Sequence, residues 1–254
     1  MQTRSFLLRT VLFGALMSFY SLHATNQNAK IIVQKADEKI RGKSSHLRMT
    51  IQTIRPDWRR TMEIEAWMKG TDLSLIRILA PAKERGIIFL KKEKEVWVWY
   101  PTLERSIRLP PSMMSQSWMG TDFTNDDLVK ESSILHDYSH RIIGDTLIKK
   151  RACYTIEMIP LPEAAVVWSK VIVCIDKKDF MELHSRFYDE DGLLINTMNS
   201  RDIQLMSERL IPTTFEMIPA DKKNQRTEMK YQRIDFDPII PDAFFTLETM
   251  RLMP

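Results

Sequence analysis

The chain has 254 residues, 37 Lys and Arg against 33 Asp and Glu, two cysteines, 44% hydrophobic residues and only seven glycines. That apolar fraction is ample for a packed core and excludes disorder as the dominant state. The glycines are too scattered for a dinucleotide-binding loop, a P-loop or a nucleophile elbow, and no lysine-arginine stripe accompanies the small positive charge, which excludes a nucleic-acid partner.

Residues 1–24 carry Arg4 and Arg9 and no acid, then an apolar run from Val11 to Leu22, then the small residue Ala24. This is the pattern of a secretory signal peptide, and it predicts cleavage near Ala24 and a mature chain that starts near Thr25. Loss of the two arginines leaves 35 cations against 33 acids, a net charge of +2. No later apolar run approaches the length that spans a bilayer, so no stable transmembrane insertion is expected. No cysteine lies near Ala24, which argues that the chain is not itself a lipoprotein.

From Asn26 to Arg41 the apolar residues Ile32, Val33, Ala36 and Ile40 recur at helical spacing, and Gly42 ends the run. An N-terminal amphipathic helix is expected. The period then changes to two. Thr61 to Met68 places Met62, Ile64, Ala66 and Met68 on one face. Strand readings follow for Ser45–Arg55, Asp72–Ala80, Gly86–Lys92, Glu95–Tyr100, Arg105–Leu109, Ser139–Ile148, Ala152–Ile159, Ala165–Asp176, Phe180–Tyr188, Leu193–Gln204, Leu210–Ile218 and Arg226–Phe236. No segment long enough for a helical crossover separates them, so the fold is mainly β, a meandering antiparallel sheet.

Two strands are apolar on both faces. Val96, Val98 and Tyr100 alternate with Trp97 and Trp99, and Val171, Val173 and Ile175 alternate with Ile172 and Cys174. The second face must be covered or used, and in a curved sheet the concave face becomes a cavity. Periodicity leaves open which face looks inward. Pro110 to Ser133 is the one long segment that breaks the strand pattern. Its Met113, Met114, Trp118, Met119 and Phe123 suit an adaptable cover over the sheet, with Asp126 or Asp127 capping a short helix through Leu128 and Val129. Gly120 is expected to set the turn that aims Trp118 and Phe123, and Asp122 to cap or close it.

His136 and His140 stand four apart, a zinc-holding spacing on a helix. The stretch after His136 alternates as a strand, however, which points the imidazoles apart, so no metal is expected. His46 and His184 are isolated. Cys153 and Cys174 flank the Pro160–Pro162 turn at nearly equal distances, and a hairpin register that set them opposite each other would place them within disulfide range. The acids lie in turn-like runs, and nothing assembles a nucleophile, a base and an orienting group. No enzyme and no cofactor is expected.

Three motifs remain: P-A-K-E-R-G-I-I-F-L from Pro81, W-V-W-Y-P-T-L-E-R-S-I-R-L from Trp97, and S-W-M-G-T-D-F-T-N-D-D-L from Ser117. Together they resemble the outer-membrane lipoprotein-sorting, or LolA-like, family. The matching positions include Pro81, Gly86, Trp99, Tyr100, Pro101, Arg105, Arg108, Met119, Gly120, Asp122, Phe123, Asp127 and Leu128, while Thr121 and Thr124 stand where serines are usual.

The resemblance implies an incomplete antiparallel β-barrel over residues 25–254, with helices in its open mouth. It further implies a non-catalytic periplasmic carrier of lipoprotein acyl chains or other lipids, with an inner-membrane transporter as a partner. Val96, Trp97, Val98, Trp99, Tyr100, Met113, Met114, Trp118, Met119 and Phe123 are the expected lipid contacts, and Arg105 and Arg108 would meet anionic headgroups at the mouth. An exported adaptor that uses the same fold without lipid transfer is the alternative, and a hydrolase with an unrecognised site a weaker one.

Overall fold

A computed structural model describes residues 28–130 and 134–253. The signal peptide expected over residues 1–24 lies outside the described residues.

Helix α1 spans 28–41 and ends at Gly42, whose backbone N–H donates to Glu38 O at 2.9 Å. Gly42 takes φ +68°, and a Cβ there would stand 2.9 Å from an Asp237 carboxylate oxygen, so both the helix stop and its close approach to the sheet require glycine. Thirteen strands follow: β1 (Ser44–Ile54), β2 (Arg59–Lys69), β3 (Leu73–Ala80), β4 (Ile88–Lys92), β5 (Glu95–Tyr100), β6 (Arg105–Arg108), β7 (Tyr138–Ile148), β8 (Arg151–Pro160), β9 (Lys170–Asp176), β10 (Glu182–Tyr188), β11 (Leu194–Met206), β12 (Arg209–Pro219) and β13 (Arg226–Phe236). Helix α2 (Leu247–Leu252) comes last.

All the strands join one antiparallel sheet in the order β6-β5-β4-β3-β2-β1-β13-β12-β11-β10-β9-β8-β7. Two meanders, β1–β6 and β7–β13, are sewn together where β1 pairs with β13. The edge strands β6 and β7 do not pair, so the sheet is an unclosed barrel. Chain order explains the cover. The chain leaves the sheet at one edge after Arg108 and re-enters at the other edge at Tyr138, so the intervening segment must cross the open face.

Period-two side chains decide the two faces. Leu47, Met49 and Ile51 on β1 and Met62, Ile64 and Ala66 on β2 are buried on the concave side. On the convex side Glu65 is enclosed by Arg77, Arg48 and His46, with its oxygens 2.7 Å from Arg77 and 3.1 Å from the His46 ring nitrogen. Burial alone would raise the Glu65 pKa, but these partners together hold it below the ordinary carboxylate range. The α1 face carrying Ala29, Ile32, Val33 and Ala36 packs on Ile156, Met158, Val171 and Val173.

The sheet and its flanks differ from the sequence reading at a strand start, at the C-terminal helix and at the cysteine pair. The strand expected from Ala165 begins only at Lys170, and Trp168 turns off the sheet so that its indole N–H donates to Asp127 Oδ1 at 2.8 Å. Helix α2 carries no expectation from sequence. The third difference is the cysteine pair. Cys153 lies opposite Asp176 and Cys174 opposite Thr155. The two sulfurs therefore sit on a diagonal, where Cα atoms are roughly 7–8 Å apart, outside disulfide reach. Both are buried free thiols, and burial raises their pKa values.

Candidate functional site

The cover is built from a tight turn and a short helix. Trp118 N–H donates to Phe123 O at 2.8 Å, and Ser117 bridges to Thr124. Met119 and Gly120 between them take φ +50° and +74°, and the Thr121 hydroxyl donates to Trp118 O at 2.7 Å. This reversal drives Trp118 and Phe123 inward, and both are buried. A π-helical turn follows over Asp126–Lys130. Its cap is Thr124, not Asp126 or Asp127 as the sequence suggested. The Thr124 hydroxyl accepts from Asp127 N–H at 3.1 Å, and the Asp127 carboxylate accepts from Thr124 N–H at 2.8 Å, a reciprocal capping box.

The cover is tied to the sheet by charge. Arg55, just past β1, donates to both carboxylate oxygens of Asp122 at 2.9 Å, with the two side chains only 14% and 5% exposed. Thr227 on β13 donates to the same carboxylate at 2.7 Å and accepts from Asp122 N–H at 2.9 Å. Asn196 on β11 donates to Asp122 O, and the Arg60 guanidinium donates to Met119 O. Asp122 thus holds the turn against β1, β11 and β13 together, and each partner reinforces the others by enclosing the pair away from water.

Under the cover the concave face is unequal along its width. At the β3–β5 side it is filled: Trp118 packs on Phe89 with ring centroids 5.5 Å apart, together with Val96, Val98 and Met114. Toward β7–β13, and reaching across β1 and β2 to Ile76 on β3, a cavity of about 290 Å³ remains, roofed by Ala36 and Ile40 of α1 and by Phe123 and Leu128 of the cover. Seven methionines line it: Met49, Met68, Met158, Met181, Met198, Met217 and Met229. Aromatic side chains complete the wall, among them Trp168, Phe187, Phe215 and Tyr231.

Acids rim this cavity. Burial pushes the Asp127 carboxyl up to about 6; the bonds from Thr124 and Trp168 oppose that shift, and the nearby Asp126 adds to it. Burial also raises the Glu182 carboxyl, with a further contribution from Asp37, and Asp37 is paired with Arg41 at 3.1 Å. Tyr138 is raised as well, first by burial and then by Asp126 and Asp127. Asp127 uses both carboxylate oxygens structurally, one on Thr124 and one on Trp168, so neither is presented to a substrate.

Of the expected lipid contacts, Phe123 lines the cavity. Val96, Val98, Tyr100, Met114, Trp118 and Met119 pack in the filled end beside it. Met113 is half-buried, its carbonyl accepting from Asn125 at 2.8 Å. Trp97 and Trp99 face the other way, against Phe245, Met250 and Ile240 of the C-terminal segment, which covers the convex face there. The inward face of β5 is therefore the valine face. Arg105 and Arg108 are exposed on the edge strand β6, Arg108 within 2.9 Å of Glu95, and neither belongs to the cavity wall. His140 is buried with Nε2 2.6 Å from Ile134 O, and burial lowers its pKa. His136 is exposed. Among the described residues no cluster of His, Cys, Asp or Glu could hold a metal ion.

The wall methionines escaped the sequence reading, which placed the adaptable methionines in the cover. A signal was present: Met198 and Met217 fall on strand positions in phase with Ile211 and Phe215, and the structure pairs Met198 with Met217 directly.

An open, strongly covered antiparallel sheet with an apolar cavity on its concave face defines the fold class of covered half-barrels. A family model described as an uncharacterized protein matches residues 70–252, and the chain belongs to that family. Its resemblance to the LolA-like, outer-membrane lipoprotein-sorting group is carried by solved structures. A LolA superfamily protein from Nitrosomonas europaea is 25% identical with TM-score 0.76, over 87% of this chain and 98% of that one. A DUF1329 family protein from Desulfovibrio piger is 18% identical with TM-score 0.79, over 89% and 99%. A domain from Vibrio parahaemolyticus described as an outer membrane lipoprotein-sorting protein is 19% identical with TM-score 0.77, over 89% and 99%. No curated protein matches the sequence.

Proposed function

We propose that this protein is a non-catalytic periplasmic carrier that takes an acyl chain of a lipoprotein or another lipid into its cavity and passes it toward the outer membrane. The observation that carries this reading is the cavity of about 290 Å³ under α1 and the cover, walled by methionines and aromatic rings. Its volume lies near the lower end of small-ligand sites, roughly 300–1,000 Å³, which suits one chain. Burial of one CH₂ is worth about 0.8 kcal/mol, so a 16-carbon chain gains on the order of 10 kcal/mol on leaving water. A carrier must match that gain and still release the chain. Flexible thioether side chains reshape around different chains without a large packing penalty. The Arg55–Asp122 pair holds the cover in place beside this cavity.

Native mass spectrometry and lipid extraction of the purified mature protein test the reading. Stoichiometric co-purifying acyl lipid, or saturable uptake of a fluorescent acyl lipid, is the expected result. An empty protein that takes up none overturns it. The adaptor reading has one observation in its favour: β7 is an unpaired 11-residue edge with Ile143 and Leu147 exposed, the kind of edge to which an extended segment of a partner, such as an inner-membrane transporter, adds as a further strand. Partner capture that is indifferent to lipid would favour it.

A further inference from the structure

One polar side chain inside the cavity has no structural task. Ser200 on β11 lines the cavity and is 3% exposed, and its hydroxyl has no hydrogen-bond partner among the described residues. Of the buried unpartnered side-chain atoms, it is the one that belongs to the cavity wall. On the β12 side its neighbours are apolar: Phe215 lies directly opposite, and the adjacent wall pair is Met198 and Met217. A buried hydroxyl left without a partner costs about 1–3 kcal/mol, and an alanine at this position would fill the wall without that cost. A hydroxyl held in an apolar cavity points to a ligand that brings the missing partner.

The chemistry of that partner is narrowed by the rest of the wall. Asp37, Asp126, Asp127 and Glu182 line the cavity against two cations, Lys39 and Arg41, and Arg41 is already paired with Asp37. An anionic carboxylate would meet predominantly acidic side chains in a low-dielectric space. A neutral carbonyl avoids that repulsion, and because it only accepts hydrogen bonds it asks for a donor, which a serine hydroxyl supplies. We infer that the cavity recognises the carbonyl of a neutral acyl ester or amide, with Ser200 Oγ donating to it, so that the wall reads the acyl linkage as well as the length of the chain. This rests on the carrier reading above and adds to it a site residue and a ligand class.

The test compares 1-palmitoyl glycerol with 1-O-hexadecyl glycerol, lipids of equal chain length in which only the first has the carbonyl, by native mass-spectrometric titration of the purified protein. The wild type is expected to favour the ester by about five- to tenfold, the contribution of one net hydrogen bond. Ser200→Ala should bring the two lipids within about twofold of each other while keeping its affinity for the ether. Ser200→Thr, which keeps a hydroxyl, should retain the preference. The melting temperature of ligand-free Ser200→Ala should equal or exceed that of the wild type, because no native hydrogen bond is lost. Equal binding of ester and ether by the wild type, or an ester preference that survives in Ser200→Ala, overturns the inference and leaves the carrier reading standing. Binding of neither lipid overturns both.

Discussion

The two ends of the concave face start from similar strands and finish differently. Beneath the cover at β3–β5, Phe89, Val96, Val98 and Met114 close around a Trp118 with no exposed surface. Beneath α1, from β7 through β13 to β1 and β2, seven methionines and a serine share the wall with Trp168, Phe187, Phe215 and Tyr231, and a cavity remains. Rigid aromatic and β-branched side chains interlock into one arrangement, whereas unbranched thioethers tolerate many. The filled end anchors the cover, and the open end has room for a guest. A sheet this wide needs both, because a cover with nothing to grip would not stay in place over a cavity.

If that division is right, substitutions at the two ends should fail in different ways. The largest effect is expected for Trp118→Ala, which empties the filled end and should cost about 3–5 kcal/mol in chemical denaturation; a loss below 1 kcal/mol would mean that the filled end is not an anchor. Asp122→Ala comes next. It strands the Arg55 guanidinium in a nearly buried setting and should cost about 3 kcal/mol, with hydrogen exchange rising first over residues 111–130. Uniform exchange across the whole sheet would deny the cover a separate hinge from the sheet.

The open end should respond in binding more than in stability. Met217→Trp fills cavity space, so the change in stability should stay within about 1.5 kcal/mol, while uptake of a fluorescent acyl lipid falls at least tenfold. Unchanged uptake would place the ligand elsewhere.

The smallest effect is a pH signature at the boundary between the ends. The Asp127 pKa is about 6 in the fold against an ordinary value of 3.8. The unfolded chain therefore gives up its proton first as pH rises, and this residue's contribution to stability declines from about pH 4 to about pH 6.5. Asp127→Asn, which carries no such proton, should gain stability relative to the wild type across that interval. A stability difference that is flat with pH would show that the carboxyl titrates normally.

Much of the fold was legible along the chain. Glu95–Tyr100 and Arg226–Phe236 begin and end where their alternation says they should, and α1 stops at the glycine that its pattern ends on. The S-W-M-G-T-D-F-T-N-D-D-L segment pointed to the cover because its residues perform local tasks: a positive-φ reversal at Gly120, a capping box from Thr124 to Asp127, and a carboxylate at Asp122 for Arg55. The candidate site was less legible. The sequence reading put ligand contacts where large apolar residues cluster in one stretch, and most of those residues fill space.

What the sequence determined alone was therefore local: strand and helix periods, the turn chemistry of the cover, and a second greasy face on β5 that demanded a covering layer. Tertiary structure decided which face was which. Trp97 and Trp99 are turned outward because the C-terminal segment folds back over the convex side at Phe245 and Met250, a contact between residues about 150 positions apart. It also set the β8–β9 register that keeps Cys153 and Cys174 apart. A period of two marks two faces without telling inside from outside. A cavity belongs to no single strand: it is the space left when ten strands, a helix and a cover meet without filling it.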